Sequence, residues 1–369
     1  GVSDLWSWQT ISLRPAATVD AIMQFLAVTC MFVVAYSMST KTRVTLEMLL
    51  VPIVIIGALQ AGFALFAASP SGAEHVTTGS FVNRNHFASL VSLSLPITVA
   101  LGLRAGIEAL HDQSYSLRNA MLAVCWFGLG GLQLFAMVLS QSRGGYIVTL
   151  CGLAALGMLI VLRSEGGGKR YVSTALLGVG LILLLAIPTP RLLKRFGQTS
   201  EPDGVSIGMR MQIWKNSADL LRKHWFLGVG AGAYEDAFVA HNDFAAGRRV
   251  DYAHNDYLQL LVELGLLGSL AVLALAAAIS WQMFAALLRV GGDNRVLLSA
   301  AVAALFAFAL HEVVEFNFAI PALALIVGWL CGVLCGQSAL LQRAVSNSGR
   351  AYAIELRRGG AYSLRGGVA

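Results

Sequence analysis

The chain of 369 residues is 57% hydrophobic and only 12% charged, with a mean hydropathy of +0.69. A soluble domain carries about 25% charged residues, so this composition excludes an ordinary soluble protein and points to one that crosses a lipid bilayer. The net charge of +6 does not make nucleic acid a partner, because loop position accounts for the basic residues.

A hydrocarbon core of about 30 Å needs roughly 20 apolar residues per helix. Nine runs meet that length: 18–38, 44–67, 86–103, 120–139, 145–162, 171–188, 256–288, 296–314 and 316–341. The expected fold is all-α, a polytopic integral membrane helical bundle of about nine transmembrane helices with one large periplasmic loop. Residues 1–17 form a periplasmic lead-in, 18–188 the first six spans, 189–255 the loop with amphipathic helices, 256–342 the last three spans, and 343–369 a disordered cytoplasmic tail. The chain opens "GVSDLW" without an initiator Met, and residues 1–17 carry no signal-peptide pattern. An upstream portion is therefore expected, with an odd number of further helices restoring a cytoplasmic N-terminus.

Orientation follows from the short loops. One side holds Lys41, Arg43, Arg104, Arg118, Arg163, Lys169, Arg170, Arg289, Arg295 and the five arginines of the tail, against Arg14, Arg84 and Arg143 on the other. Basic residues favour the cytoplasm, and long loops such as 189–255 are left out of that comparison. The five cysteines fall inside apolar runs, so neither a disulfide nor a zinc cluster is expected, and they read as small packing residues.

In chain order, the polar residues gather at the external ends of the spans. "TGSFVNRNHFASL" presses Arg84, Asn85 and His86 against the third span, where Asn85 either caps the helix or joins a site. "SQSRGG" places Arg143 between two apolar helices. Arg84 and Arg143 fit either a pocket or snorkelling to lipid headgroups. In "GMRMQIWKNSADLLRKHWFLGVG", Met211, Ile213, Trp214, Ala218, Leu220 and Leu221 alternate with basic residues at helical spacing. This predicts an amphipathic helix on the membrane surface, either a plain lid or a carrier that brings Arg210 over the helical core.

"GVGAGAYEDAF" follows no strand and is not a dinucleotide loop. In "DYAHNDYLQLLVELGLLG", Asp256 is predicted to cap the amide of Gln259. Asn255, Gln259 and Glu263 then make a polar stripe at i, i+4 and i+8, while His254 stands just ahead. "LHEVVEFNFAIP" sets His311 and Glu315 one helical turn apart. It lacks the second histidine of H-E-x-x-H, so zinc-protease chemistry is not expected. Several guanidinium groups at one membrane face suit a phosphate-bearing ligand, and a histidine among them could take a proton from a hydroxyl.

Over residues 76–330 the ordered set "GSFVNRNHFA", "SRGG", "MRMQIW" with "HWFLGVGAGAYEDAF", "AHNDYLQLLVELGLLG" and "HEVVEFNFAIP" resembles the bacterial O-antigen ligase and O-antigen polymerase superfamily. The resemblance implies a metal-independent, inverting glycosyltransferase without a cofactor. The donor would be an undecaprenyl-diphosphate-linked glycan. The acceptor would be the lipid A core in a ligase, or a second lipid-linked repeat unit in a polymerase of surface polysaccharide or exopolysaccharide. The implied address is the bacterial inner membrane, with the active site facing the periplasm. The matching positions make Arg143 and Arg210 diphosphate-binding and His254 the general base. Arg84, His86, Asn255, Glu263, His311 and Glu315 are the expected substrate contacts. The last motif carries Glu315 where the family often has Asp. A protein O-oligosaccharyltransferase and a transporter or flippase of lipid-linked sugars are the alternatives. A carrier tends to place its polar groups at midplane on broken helices in repeated halves, and no such repeat is seen.

Overall fold

The computed structural model describes residues 12–67, 77–111, 116–163, 207–243, 249–290 and 294–363. Among them every regular element is helical: α1 (Pro15–Ser39), α2 (Leu46–Phe66), α3 (Arg84–His111), α4 (Leu117–Ser140), α5 (Arg143–Arg163), α6 (Ile207–Lys223), α7 (Tyr234–Val239), α8 (Asp256–Arg289), α9 (Asn294–His311), a 3-10 turn (Asn317–Ala319) and α10 (Pro321–Ser363). Eight of these are long and apolar enough to cross a membrane. They coincide with eight predicted spans; the run at 171–188 lies outside the described residues. The protein is a polytopic helical membrane protein.

Local chemistry sets the helix starts. Pro15 opens α1, where its missing N–H costs nothing. The Thr45 hydroxyl accepts from the Met48 amide ahead of α2, and the Ser116 hydroxyl does the same for Asn119 ahead of α4. Enclosed α3 and α9 form the middle of the bundle, with Leu90, Leu93, Ile97, Leu298, Ala304 and Phe308 in one continuous core. Along α10, Gly332 lets α1 approach closely, since a Cβ there would lie 2.3 Å from the Phe32 carbonyl oxygen.

Four sequence expectations are corrected. α9 stops at His311, so His311 and Glu315 do not share a helix; residues 312–320 form a turn that ends at Pro321, the first residue of α10. A proline disfavours helical backbone in the residue before it, and Ile320 is extended, with ψ 108. α10 runs on to Ser363, so most of the segment expected to be a disordered tail is helical. The cap of α8 is Asn255, whose side chain accepts from Leu258, one residue earlier than predicted for Asp256. Asp256 is instead drawn to the α9–α10 turn, where its carboxylate accepts from the Phe318 amide. Asn85 is not a cap either: Asn83 accepts from the Asn85 amide, which frees the Asn85 side chain.

α8 breaks at Gly265, with φ 62 and ψ −170. A break in an apolar helix exposes backbone groups that must find partners. The segment 225–230 supplies them: the amides of Leu266 and Leu267 donate to the carbonyls of Trp225 and Phe226, while those of Val229 and Gly230 donate to Val262 and Glu263. Such close approach requires glycine on both chains, because a Cβ on Gly228 or Gly265 would lie within 2.5 Å of the other backbone.

The amphipathic helix expected from "MRMQIW" is α6. Its Ile213 and Leu220 pack with Tyr234, Phe238, Val229 and Val262 in a small core of their own. Trp214 faces inward, donating its indole N–H to the Ala253 carbonyl at 2.9 Å, whereas Met211 is exposed.

Candidate functional site

At one end of the bundle the start of α3 is fastened to the last residue of α9 and the turn that follows it by three side-chain bonds. Asn85, His86 and Ser89 occupy i, i+1 and i+4 of α3, on one flank of the helix. Asn85 Nδ2 donates to Glu315 Oε1 at 2.6 Å. His86 Nδ1 bonds Asn317 Oδ1 at 2.8 Å, and Ser89 Oγ bonds His311 Nδ1 at 2.6 Å. The "SRGG" turn joins from the side, where Ser142 Oγ donates to Asn85 Oδ1 at 2.7 Å. With its amide oxygen taken by a hydroxyl, Asn85 can only present its NH2 to the carboxylate.

α6 reaches the same turn. Arg210 Nη1 donates to the Val314 carbonyl and Nη2 to Glu315 Oε1, both at 2.8 Å. His254 enters from the residues ahead of α8, with Nδ1 3.8 Å from Glu315 Oε2. That gap is too long for a hydrogen bond, so the attraction is electrostatic. Phe316 forms an aromatic floor: Tyr252 stacks on it with ring centroids 4.2 Å apart, while His254 and His86 meet it edge-on at 4.9 and 4.7 Å. His254 itself has φ 50, an uncommon left-handed conformation for a side-chain-bearing residue. The Trp214 bond to Ala253 and the Asn255 cap hold the residues on either side of it.

The turn carries two carboxylates in opposite states. Burial alone would push the Glu315 carboxyl up, but His254 and the Arg210 guanidinium outweigh it and hold the value at about 2. Burial also acts on Glu312, and there the adjoining Asp256 carboxyl adds to it, pushing Glu312 up to about 10. Glu315 is thus drawn towards its anion, whereas burial and the neighbouring Asp256 carboxyl draw Glu312 towards its protonated form. The Glu312 oxygens accept from the Asn317 amide and side chain at 2.9 and 2.8 Å. That leaves Asn317 Oδ1 for the ring N–H of His86.

Of the predicted site residues, the structure brings Arg210, His254, Glu315, His86 and His311 into one cluster, with Asn255 as its cap. Arg84 opens α3 and is 2% exposed, so snorkelling to headgroups does not describe it. Arg143 opens α5, half-buried, in a turn that packs closely on the cluster: a Cβ on Gly144 would lie 3.0 Å from His311 Nε2. Glu263 is occupied elsewhere, accepting from the Gly232 amide at 2.7 Å and from Gln259 Nε2 at 3.0 Å; it ties the external loop to α8. Reasoning from the sequence singled out none of Ser89, Ser142, Glu312, Phe316, Asn317 or Tyr252. A charged Glu312 inside an apolar run was the available signal for one of them.

A membrane-spanning helical bundle with buried arginine, histidine and carboxylate groups collected at one end defines the class: a polytopic membrane protein with a charged site at the mouth of its helices. Residues 123–273 match the family described as O-Antigen ligase, in agreement with the resemblance read from the motifs. The match covers Arg143, Arg210, His254, Asn255 and Glu263, while Arg84, His86, His311 and Glu315 lie outside it. The chain is also 28% identical over 177 residues to a protein of Alcanivorax borkumensis described as "Probable peptidoglycan glycosyltransferase FtsW", covering 45% of this chain and 42% of that protein. A protein of Hahella chejuensis with the same description is 27% identical over 183 residues, covering 47% and 43%. The matched region thus spans less than half the length of these curated relatives.

Proposed function

We propose that the protein is a membrane glycosyltransferase. It moves a glycan from undecaprenyl diphosphate to an acceptor sugar hydroxyl at the periplasmic face of the inner membrane, in O-antigen ligation or surface polysaccharide polymerisation. The observation that carries this reading is the meeting of Arg210 and His254 at a single buried carboxylate, a cation for a phosphate beside a proton acceptor. The family match over 123–273 and the glycosyltransferase descriptions of both relatives support it.

In the proposed reaction the acceptor oxygen forms a bond to the anomeric carbon as the bond from that carbon to the diphosphate oxygen breaks, with inversion. The hydroxyl proton passes to the His254 ring and the electron pair leaves with the diphosphate. Arg143 and Arg210 bind the diphosphate, and their grip strengthens as charge develops on the leaving oxygen. No metal is needed for this role, since guanidinium groups match phosphate oxygens in charge and geometry.

The test incubates the purified full-length protein with a defined undecaprenyl diphosphate glycan and either lipid A core or a second donor molecule. Glycosylated lipid A identifies a ligase, and a lengthened lipid-linked chain identifies a polymerase. Donor moved across a liposome bilayer without a new glycosidic bond would identify a transporter and remove the transferase reading. His254→Ala is expected to abolish transfer in a folded protein; near wild-type turnover would remove the base role.

A further inference from the structure

The two oxygens of Glu315 have unequal surroundings. Oε1 accepts from Arg210 Nη2 and from Asn85 Nδ2. Oε2 is buried and has no hydrogen-bond partner among the described residues, and the same is true of His254 Nδ1, which faces it at 3.8 Å. A buried acceptor and a buried ring nitrogen that each lack a partner and stand within an ångström of bonding distance form an incomplete contact. Arg210 also spends both terminal nitrogens inside the protein, on Glu315 and on the Val314 carbonyl. Its Nε is buried without a partner among the described residues and each terminal nitrogen keeps a second N–H, so an arriving phosphate competes with Glu315 for the guanidinium.

We infer that Glu315 is a positioning carboxylate that serves Arg210 and His254 in turn: when the donor diphosphate draws the Arg210 fork away, Glu315 closes on Nδ1–H of His254 and aims Nε2 at the acceptor hydroxyl. This deepens the transferase reading and rests on it for the identity of the donor. Before donor arrives, the carboxylate is shared with a fixed cation and the imidazole lacks a full partner. Afterwards the carboxylate is free to fix the ring tautomer and to stabilise the imidazolium formed by proton transfer. Asn85, steered by Ser142, keeps the carboxylate in place through the exchange. Base activation is thereby made to follow donor binding.

Among the described residues, the other ionisable groups around this pair are Arg210 from α6, His86 from α3, His311 at the end of α9, Glu312 from the α9–α10 turn, and Asp256 at the start of α8. Of the two carboxyl groups of the turn, Glu315 is the one that faces His254, while both oxygens of Glu312 accept from Asn317.

The test uses Glu315→Gln and Glu315→Asp in the full-length protein. Glu315→Gln is expected to lower kcat at least tenfold and to lower the donor KM, because Arg210 is released for phosphate while His254 loses its support. The acid limb of the kcat pH profile should move down by about one pH unit, as loss of a neighbouring opposite charge demands. Glu315→Asp should restore most of the limb. A purely structural role would lower kcat with a raised KM and an unmoved limb, and that pattern overturns the inference. A second readout does not depend on turnover. The His254 Nδ1–H resonance in NMR spectra, identified by its loss in His254→Gln, should move downfield when undecaprenyl diphosphate binds the wild-type protein and should not do so in Glu315→Gln. A wild-type resonance that the diphosphate leaves in place overturns the inference. A ligand-induced shift in a protein that transfers nothing upholds the pairing while the transferase reading falls.

Discussion

Arg210→Met removes the guanidinium from the buried Glu315 carboxylate while keeping an unbranched apolar side chain in its place. The carboxyl is held at about 2 against an ordinary value of 4.5 by His254, Arg210 and His311 together, a combined difference worth roughly 3 kcal/mol by linkage at about 1.4 kcal/mol per pH unit, of which the Arg210 share is lost here. Because the folded value is depressed, this stability is present above 4.5 and is lost as pH falls through about 2. In Arg210→Met the buried carboxylate takes a proton at a higher pH than in wild type. The variant should be about 3–5 kcal/mol less stable at pH 7, the usual cost of stripping one partner from a buried pair. Part of the deficit comes from the lost Val314 bond and does not depend on pH. The remainder should shrink as the pH is lowered from about 5 towards 3. Denaturant unfolding of the detergent-solubilised protein, followed by tryptophan fluorescence at pH 7, 5, 4 and 3, measures both parts. A deficit that stays constant across that range, or none at pH 7, would refute the assignment of Glu315 as an anion held by Arg210.

For Glu312 the sign is opposite. Its folded value near 10 lies above the ordinary 4.5, so its contribution is complete below 4.5 and declines as pH rises towards 10. Glu312→Gln should therefore lose less stability than wild type between pH 6 and 9 in the same unfolding assay. Gly145→Ala sets a Cβ 2.3 Å from the Ala88 Cβ, forcing α5 and α3 apart. It should cost about 1–3 kcal/mol and lower the thermal midpoint, whereas Gly131→Ala, with nothing within 4 Å of the new Cβ, should not. Arg143→Lys keeps the charge but loses the planar fork, and donor KM is expected to rise roughly tenfold or more. Unchanged donor kinetics would leave Arg143 as a headgroup anchor.

The spans were legible because an apolar run of bilayer length has few alternatives, and eight of them appear where the hydropathy places them. The site was legible only in part. Arg210, His254 and Glu315 stood out as charged or titratable groups in apolar surroundings, and they meet. What fastens them was not legible, because it depends on pairs far apart in sequence. Asn85 and Glu315 are separated by 230 positions, and no local pattern in either stretch announces the other. The break at Gly265 was hidden for the same reason. A lone glycine in an apolar run reads as a tolerated helix residue until the 225–230 segment is seen to replace the missing helical bonds. Asp256 was misread as a cap because Asn255 and Asp256 have equal capping chemistry. The choice between them is made by the Phe318 amide, contributed from a distant turn.

The external loop and the catalytic candidates are one mechanical unit. α6 holds Ala253, beside His254, through Trp214, and packs Ile213 and Leu220 onto the core that includes Ala253 and Val262. Gln259 Oε1 accepts from the Ala253 amide at 3.0 Å, and its Nε2 leads on to Glu263, which holds Gly232. Arg210 and His254 are thus carried on the same packed body, facing a turn that α3 holds fixed through Asn85, His86 and Ser89. A ligand that pulls on the Arg210 fork strains this body against that turn. The contact with least to resist the strain is the unfilled one between His254 Nδ1 and Glu315 Oε2. Because the Asp256 amide donates to the Glu312 and Glu315 carbonyls and the Phe318 amide donates to the Asp256 carboxylate, the two backbones stay joined, and the two-stage role of Glu315 needs only a side-chain shift of about an ångström at that contact.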